Sequence, residues 1–231
     1  MSAKKGFNMD LGQRIDFHTH SLLSDGLLIP SELIRQAEIA GYAAIGITDH
    51  VDASNLEKTI EQMQKLLSKQ KFPIIVIPGV ELSYVHPENI PDLAKEAKKL
   101  GTKLVVVHGE SEAFDEPVYP GTNQISVSLK GYVDILAHPG KITETEAAEA
   151  AKNDIYLELS AKKAHSTSNI HIAKMAKKTG AKMLVNTDAH KPGDLLDQKG
   201  ALKIAKAAGL NDKEAITVVV DNAQELLKKL T

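Results

Sequence analysis

Short apolar runs that stop on histidine, aspartate or glutamate recur along this chain, and stretches of helical periodicity separate them. Ile15-Asp-Phe17 leads to His18-Thr-His20, Ile45-Gly-Ile47 to Thr48-Asp-His50, and Ile77-Pro-Gly-Val80 to Glu81. Val105-Val-Val107 leads to His108, Ile135-Leu-Ala137 to His138, and Val185-Asn186 to Asp188-Ala-His190. Strands are expected near 15–17, 43–47, 74–80, 103–107, 133–137, 155–159 and 183–186. Helices are expected over 30–40, from 56 after a Ser54 cap, over 93–100, 125–130, 144–151, 169–179 and 202–208, and in two C-terminal pieces at 212–219 and 223–230. Strands alternating with helices at this spacing argue for parallel βαβ units. Seven strands suit either an open doubly wound sheet or a barrel one unit short of eight, and the strand ends decide between them. Only a closed barrel brings so many C-terminal ends to one rim. The expectation is a single α/β domain over residues 1–231, a (β/α)7 TIM-like barrel with its motifs in 14–195 and trailing helices in 200–231.

Composition narrows the chemistry. The chain has no cysteine and nine histidines, so disulfides and thiolate sites are excluded and any metal must be held by imidazole and carboxylate. A net charge of −2 with interspersed signs offers no basic stripe and argues against nucleic acid as a partner. No apolar run approaches the roughly 18 residues of a membrane span. Residues 1–10 carry two lysines without an apolar segment behind them, so no secretory signal is read and a cytoplasmic location is expected. Glycine-rich dinucleotide, phosphate-loop and nucleophile-elbow motifs are missing from the sequence.

Paired histidines at one strand end are as common in a polar barrel rim as in a metal site, but the ordered set is more specific. His18-Thr-His20, Ser24-Asp-Gly26, Thr48-Asp-His50, Gly79-Val-Glu81, His108, His138-Pro-Gly140 and Asp188-Ala-His190 together resemble the PHP (polymerase and histidinol phosphatase) family, from about residue 14 to about 195. The resemblance implies a distorted (β/α)7 barrel with two or three divalent metals (zinc, manganese or iron) at its C-terminal mouth. It implies one metal on His18, His20, Glu81 and Asp188, a second on Glu81, His108 and His138, and a third on Asp25, His50 and His190. Some family members have histidine where this chain has Asp25. Glu81, Asp188 and His190 are the catalytic candidates. The implied activity is hydrolysis of a small phosphomonoester, histidinol phosphate or a nucleotide, by a hydroxide held between two metals.

Asp16 and Asp49 neighbour the ligands and either orient imidazoles or cap the local backbone. His165, Lys162 and Lys191 are candidate substrate contacts, His165 because its loop opens at the rim. His86 reads as a surface residue and His171 as structural. The acidic segment Gly109–Gly121 reads as a long loop that either gates the mouth or lies on the surface. Alternatives are an amidohydrolase-type metallohydrolase, which commonly has a bridging lysine where this chain has His108, a polymerase-associated module, and a metal-binding regulatory protein without turnover. Oligomeric state is not encoded in any signal here.

Overall fold

Each apolar run becomes a strand, and the strands add to one another in parallel. The computed structural model describes residues 11–113 and 116–231, so the stretch searched for a secretory signal, 1–10, lies outside the described residues. The strands are β1 (Arg14–Asp16), β2 (Tyr42–Ile47), β3 (His50–Val51), β4 (Ile75–Leu82), β5 (Leu104–His108), β6 (Ile135–Ala137), β7 (Tyr156–Ser160) and β8 (Met183–Asn186). Their order is β1-β2-β4-β5-β6-β7-β8, with β3 a short continuation beyond β2 that pairs with β4, His50 opposite Glu81. β1 and β8 meet through an isolated bridge between Thr19 and Ala189. Asp188 N donates to His18 O and His20 N to Ala189 O, both at 2.9 Å, and Asn186 Oδ1 accepts from Phe17 N at 3.1 Å. The seven-stranded barrel is therefore joined by contacts just past the strand ends, at the mouth.

The helices are α1 (Pro30–Ile39), α2 (Leu56–Lys69), α3 (Ile90–Lys99), α4 (Thr122–Ser128), α5 (Glu144–Asn153), α6 (Asn169–Thr179), α7 (Gln198–Ala207), α8 (Asp212–Ile216) and α9 (Asn222–Leu230). Several differ from expectation: α3 begins at Ile90 and α7 at Gln198, earlier than the expected 93 and 202, α7 behind an Asp197 cap that accepts from Gly200 N at 2.7 Å. Asn55, not Ser54, precedes α2, and the Ser54 hydroxyl bonds Asp52 at 2.6 Å instead. α4 starts at Thr122 because Glu110 Oε1 accepts from Gly121 N at 3.0 Å and Asn123 N at 2.9 Å, satisfying donors that open the helix. The two C-terminal helices are linked by a π-helical turn, Thr217–Asp221, that buries Val218 and Val219. No helix among the described residues is long and apolar enough to cross a membrane.

Period-two alternation sorts the strand residues into two cores. Ile15, Ala44, Ile77, Leu104, Val106, Ile135, Tyr156 and Leu184 fill the barrel interior, with Ala223, Leu226 and Leu230 of α9 packed against them. Val80, Leu82, Val105, Val107, Leu136, Leu157 and Leu159 face the surrounding helices. One end of the interior is thus filled with hydrocarbon, and the opposite end is left for polar groups.

Candidate metal centre

The same alternation carries polar side chains to the mouth. Along β4, Ile77 and Gly79 precede Glu81 on the interior face; along β5, Leu104 and Val106 precede His108; along β7, Tyr156 precedes Glu158. Other donors lie beyond strand ends, where the backbone turns. His138 and Asp188 have φ of 28° and 52°, a left-handed region costly for residues with a Cβ, although aspartate tolerates it best. Such strain persists where the surroundings hold it, and here both side chains are turned into the mouth. The loop carrying Asp25 lies against the His20 backbone, where a Cβ on Gly26 would collide with the His20 carbonyl.

His18, His20, Glu81, His138, His165 and Asp188 are all buried. His18 Nε2 lies 3.4 Å from Glu81 Oε1 and 3.8 Å from Asp188 Oδ1, and His20 Nε2 lies 3.1 Å from Asp188 Oδ1. His138 Nε2 is 3.8 Å from Glu81 Oε1, and His50 Nδ1 is 2.7 Å from Glu81 Oε2. Asp25 is approached by His190 Nε2 at 3.2 Å and His50 Nε2 at 3.7 Å. Among the described residues, donor atoms converge within 4.8 Å in five overlapping groups: His20, Asp25, His50 and His190; His18, His20 and Asp188; His18, Glu81 and His138; His108, Glu116 and His138; and His138, His165 and Asp188.

Partners on the far side of the rings settle which nitrogen faces the centre. His18 Nδ1 donates to Glu158 Oε2 at 2.7 Å, His190 Nδ1 to Asp188 O at 2.9 Å and His108 Nδ1 to Gly109 O at 3.2 Å. Each leaves Nε2 pointing inward, the arrangement that outer partners impose on metal-bound imidazoles. His18 Nε2, both nitrogens of His20, Glu81 Oε1, Glu116 Oε2, His138 Nδ1 and His165 Nε2 are buried without a hydrogen bond among the described residues. Buried polar atoms in folded chains are mostly paired; Arg14 Nε, Glu158 Oε1, Thr187 Oγ1 and Gln198 Oε1 are further exceptions, but the imidazole and carboxylate atoms converge, and as a set they fit divalent cations.

Protonation is consistent with that fit. Burial and the neighbouring His50 lower His20 to about 3 against the pull of Asp188. Burial, with His108 and His165 adding to it, holds His138 well below the usual imidazole range. For Glu81, burial favours the neutral acid, but His18 and His50 outweigh it and hold the carboxyl well below its ordinary value. Asp188 is lowered in the same way, burial being overcome by His18, His165 and His20. His18 runs the other way: burial opposes its charge, yet Glu158, Glu81 and Asp188 raise it well above normal. Ionised carboxylates and the neutral His20 and His138 rings are forms that bind metal, whereas His18 and His50, which Glu158 and Glu81 respectively raise against their burial, must shed protons as a metal enters.

The nine expected ligand positions all reach this mouth. His20 joins Asp25, His50 and His190, and the group around His108 is completed by Glu116, a residue the sequence reading did not single out. Glu158 was also missed, although its signal was present: Leu157 and Leu159 face the helices, so Tyr156 and Glu158 must face inward. Among the described residues the partners of Asp16 and Asp49 are backbone, hydroxyl and guanidinium groups, not imidazole rings. Asp16 pairs with Arg14 at 3.3 Å and accepts from Thr187 N at 3.2 Å and Tyr42 Oη at 3.4 Å. Asp49 accepts from Ser21 N, Ser21 Oγ and Ser24 Oγ, each at 2.7 Å, and so shapes the loop before Asp25.

His165 is buried rather than solvated, with its ring stacked on His138 at 4.0 Å and its Nε2 3.3 Å from Asp188 Oδ2. Lys162 Nζ sits 3.2 Å from Asp188 Oδ2. Lys162, Lys163 and Lys191 line a 680 Å³ cleft that begins at Asp25 and His190. Lys141 pairs instead with Glu112 at 2.7 Å. His86 is exposed beside Tyr119, and His171 Nε2 donates to Ile142 O at 2.7 Å on the helical side.

Comparison with known proteins follows the same lines. The PHP domain family model matches residues 16–162. An uncharacterized protein of Methanocaldococcus jannaschii is 44% identical over 220 residues, covering 94% of this chain and 100% of its own length. A probable phosphatase of Thermoanaerobacter sp. (strain X514) is 28% identical over 231 residues, covering 93% of this chain and 94% of its own. A chain in a structure of archaeal ribonuclease P with mature tRNA superposes with a TM-score of 0.66 at 16% identity, over 94% of this chain and 89% of that one. This last likeness is one of fold.

Proposed function

This chain belongs to the PHP domain family, and from that premise we propose that it is a metal-dependent phosphoesterase acting on a small phosphomonoester. The observation that carries the reading is the convergence of unpaired imidazole and carboxylate atoms on a mouth that opens into a lysine-lined cleft. The relative named a probable phosphatase supports it.

His18, His20, Glu81 and Asp188 would hold one cation, and Asp25, His50 and His190 another. Around His138 and His108 a further cation has donors, so two or three ions per chain are proposed, zinc, manganese or iron by their nitrogen and oxygen donors. When bound, such ions neutralise phosphoryl oxygens and bring the pKa of coordinated water toward neutrality.

The chain's own residues supply the rest. Glu81 presents two oxygens to two sides, one toward His18 and His138 and the other toward His50, which suits a bridging role no imidazole can fill. Glu158 locks the His18 tautomer through Nδ1, and Asn186 Nδ2, donating to the same carboxylate at 3.0 Å, holds it in place. Asp188 sits between His20, His165 and Lys162, so an ester bound there meets Lys162 as its first cationic side chain. Lys163 and Lys191 extend positive charge along the cleft, where the remainder of an anionic substrate is drawn in. The phosphoryl group that histidinol phosphate and a nucleoside monophosphate share fits this positive charge.

Phosphate release from p-nitrophenyl phosphate, its bis-ester, histidinol phosphate and nucleoside monophosphates tests the reading, using chelator-stripped protein with and without manganese or zinc. Metal-restored turnover of a monoester, lost in His18→Ala, is expected. Tight metal binding with no release from any ester would overturn it in favour of a regulatory metal-binding protein.

A further inference from the structure

The loop between β5 and α4 carries a carboxylate into the mouth that none of the nine expected positions includes. We propose that Glu116 is a cation ligand delivered by this loop, completing with His108 and His138 a site for a divalent transition metal; the proposal rests on the metal-dependent reading above.

Glu116 Oε2 lies 3.6 Å from His108 Nε2, and Oε1 lies 3.3 Å from His165 Nε2. Among the described residues its ion-pair partners are these two imidazoles, with no lysine or arginine to neutralise it. Oε2 is buried and accepts no hydrogen bond, a costly state for a carboxylate oxygen without a cation nearby. Opposite it, His108 donates through Nδ1 to Gly109 O, so its Nε2 lone pair faces the same oxygen. Two electron-rich atoms directed at one another call for a positive centre between them.

Grouping points the same way. Glu81 converges with His18 and His138, whereas the donors that converge with His108 are His138 and Glu116. Two imidazoles and one carboxylate form a donor set suited to zinc, manganese or iron.

The loop does not depend on Glu116 for its position. Glu110 accepts from the start of α4, Ser111 Oγ bonds His165 Nδ1 at 2.8 Å, and Glu112 contacts Lys141 at 2.7 Å and Ser168 at 2.9 Å. Beneath it, Gly140 has φ of +53°, and a Cβ there would strike Glu110 O. With residues 110–112 held in this way, Glu116 is free to serve a ligand.

The test loads the full-length chain with zinc, removes the excess, and follows transfer of the ion to a chromophoric chelator. Glu116→Gln, nearly the same size without the charge, is expected to release one equivalent at least about tenfold faster than wild type, the scale on which lost metal-site partners weaken binding. The remaining metal should be released as in wild type. Glu61→Gln, on the exposed face of α2 away from the mouth, should match wild type throughout. Should Glu116→Gln not fold by circular dichroism, Glu116→Asp serves instead, its shortened reach again speeding one phase. Wild-type release kinetics and stoichiometry in a folded Glu116 variant would overturn the proposal. His18→Ala separates the two readings: if it too behaves as wild type, or if the wild-type chain takes up no zinc, the metal centre itself is refuted and not only the role of Glu116.

Discussion

The two ends of the barrel both gather ionisable groups, and they treat them in opposite ways. At the end where strands begin, Lys182 pairs with Asp154 at 2.9 Å and Glu225 at 2.6 Å, and Lys229 pairs with Glu225 at 3.0 Å and with Asp154. Both ammonium groups lie over the Tyr156 ring, at 5.6 and 5.4 Å. Positive and negative charges match, and the four side chains are 37–44% exposed, so water screens whatever they gain. At the end where strands finish, imidazoles and carboxylates are buried and several donor atoms have no hydrogen-bond partner. Charge satisfied within the chain contributes modestly to stability. Single unpaired atoms occur elsewhere, at Arg14 Nε and Gln198 Oε1, but only at the mouth do unpaired imidazole and carboxylate atoms converge among the described residues.

The sharpest way to break this contrast is Glu81→Gln. Loss of the shared carboxylate is expected to lower monoester turnover by more than about 100-fold, beyond the range typical of outer metal partners. In the chelator-stripped chain the same change should also lower the melting point, because His18 and His50 lose the carboxylate that they hold ionised. Turnover within a few-fold of wild type would break the contrast.

Metal itself should stabilise only the mouth. Manganese at 100 times its dissociation constant is worth about 2.7 kcal/mol, which for a chain of this size raises Tm by about 5–10 °C. Differential scanning calorimetry with and without chelator reads this directly, and an unchanged midpoint would count against a metal centre.

Glu158→Gln is expected to weaken metal binding by about 10–100-fold while leaving the far-ultraviolet spectrum unchanged, measured by chelator competition. Unaltered affinity would show that His18 does not need its partner.

The smallest effect belongs to the opposite end. Lys229→Ala should cost no more than about 1 kcal/mol in denaturant unfolding and leave turnover untouched. Burial favours neutral Asp154, but Lys229 and Lys182 outweigh it and lower the carboxyl. A depressed folded pKa gives stability that is present above the ordinary aspartate range and lost as pH falls through the folded value. The difference between wild type and Lys229→Ala should therefore shrink on acidification. A difference that grows instead would reverse the assigned role of the pair.

Much of the site was legible because strand alternation is local. Glu81 and His108 follow Gly79 and Val106 on the interior face, and their inward direction can be counted off residue by residue. Glu158 obeys the same rule, one residue before the helix-facing Leu159, although no ligand partner on that strand is expected from the sequence. The rule failed for Asp16, which shares parity with His18 only if the strand runs on. β1 ends at Asp16, Ile15 and Phe17 take the interior, and the chain turns before His18.

What the sequence determined by itself was the alternation of strands and helices, the absence of thiol ligands and the presence of donors at nearly every strand end, since each depends on neighbours a few residues apart. Only the tertiary structure decided the grouping of those donors. The left-handed turns at His138 and Asp188 are held by contacts across the β1–β8 junction and under the 109–121 loop. Glu116 and His165 meet through two loops set by parallel register between distant strands. The partner of His18 is 140 positions away. Local periodicity says which way a side chain faces along its own strand; which others it faces is settled only when the barrel closes.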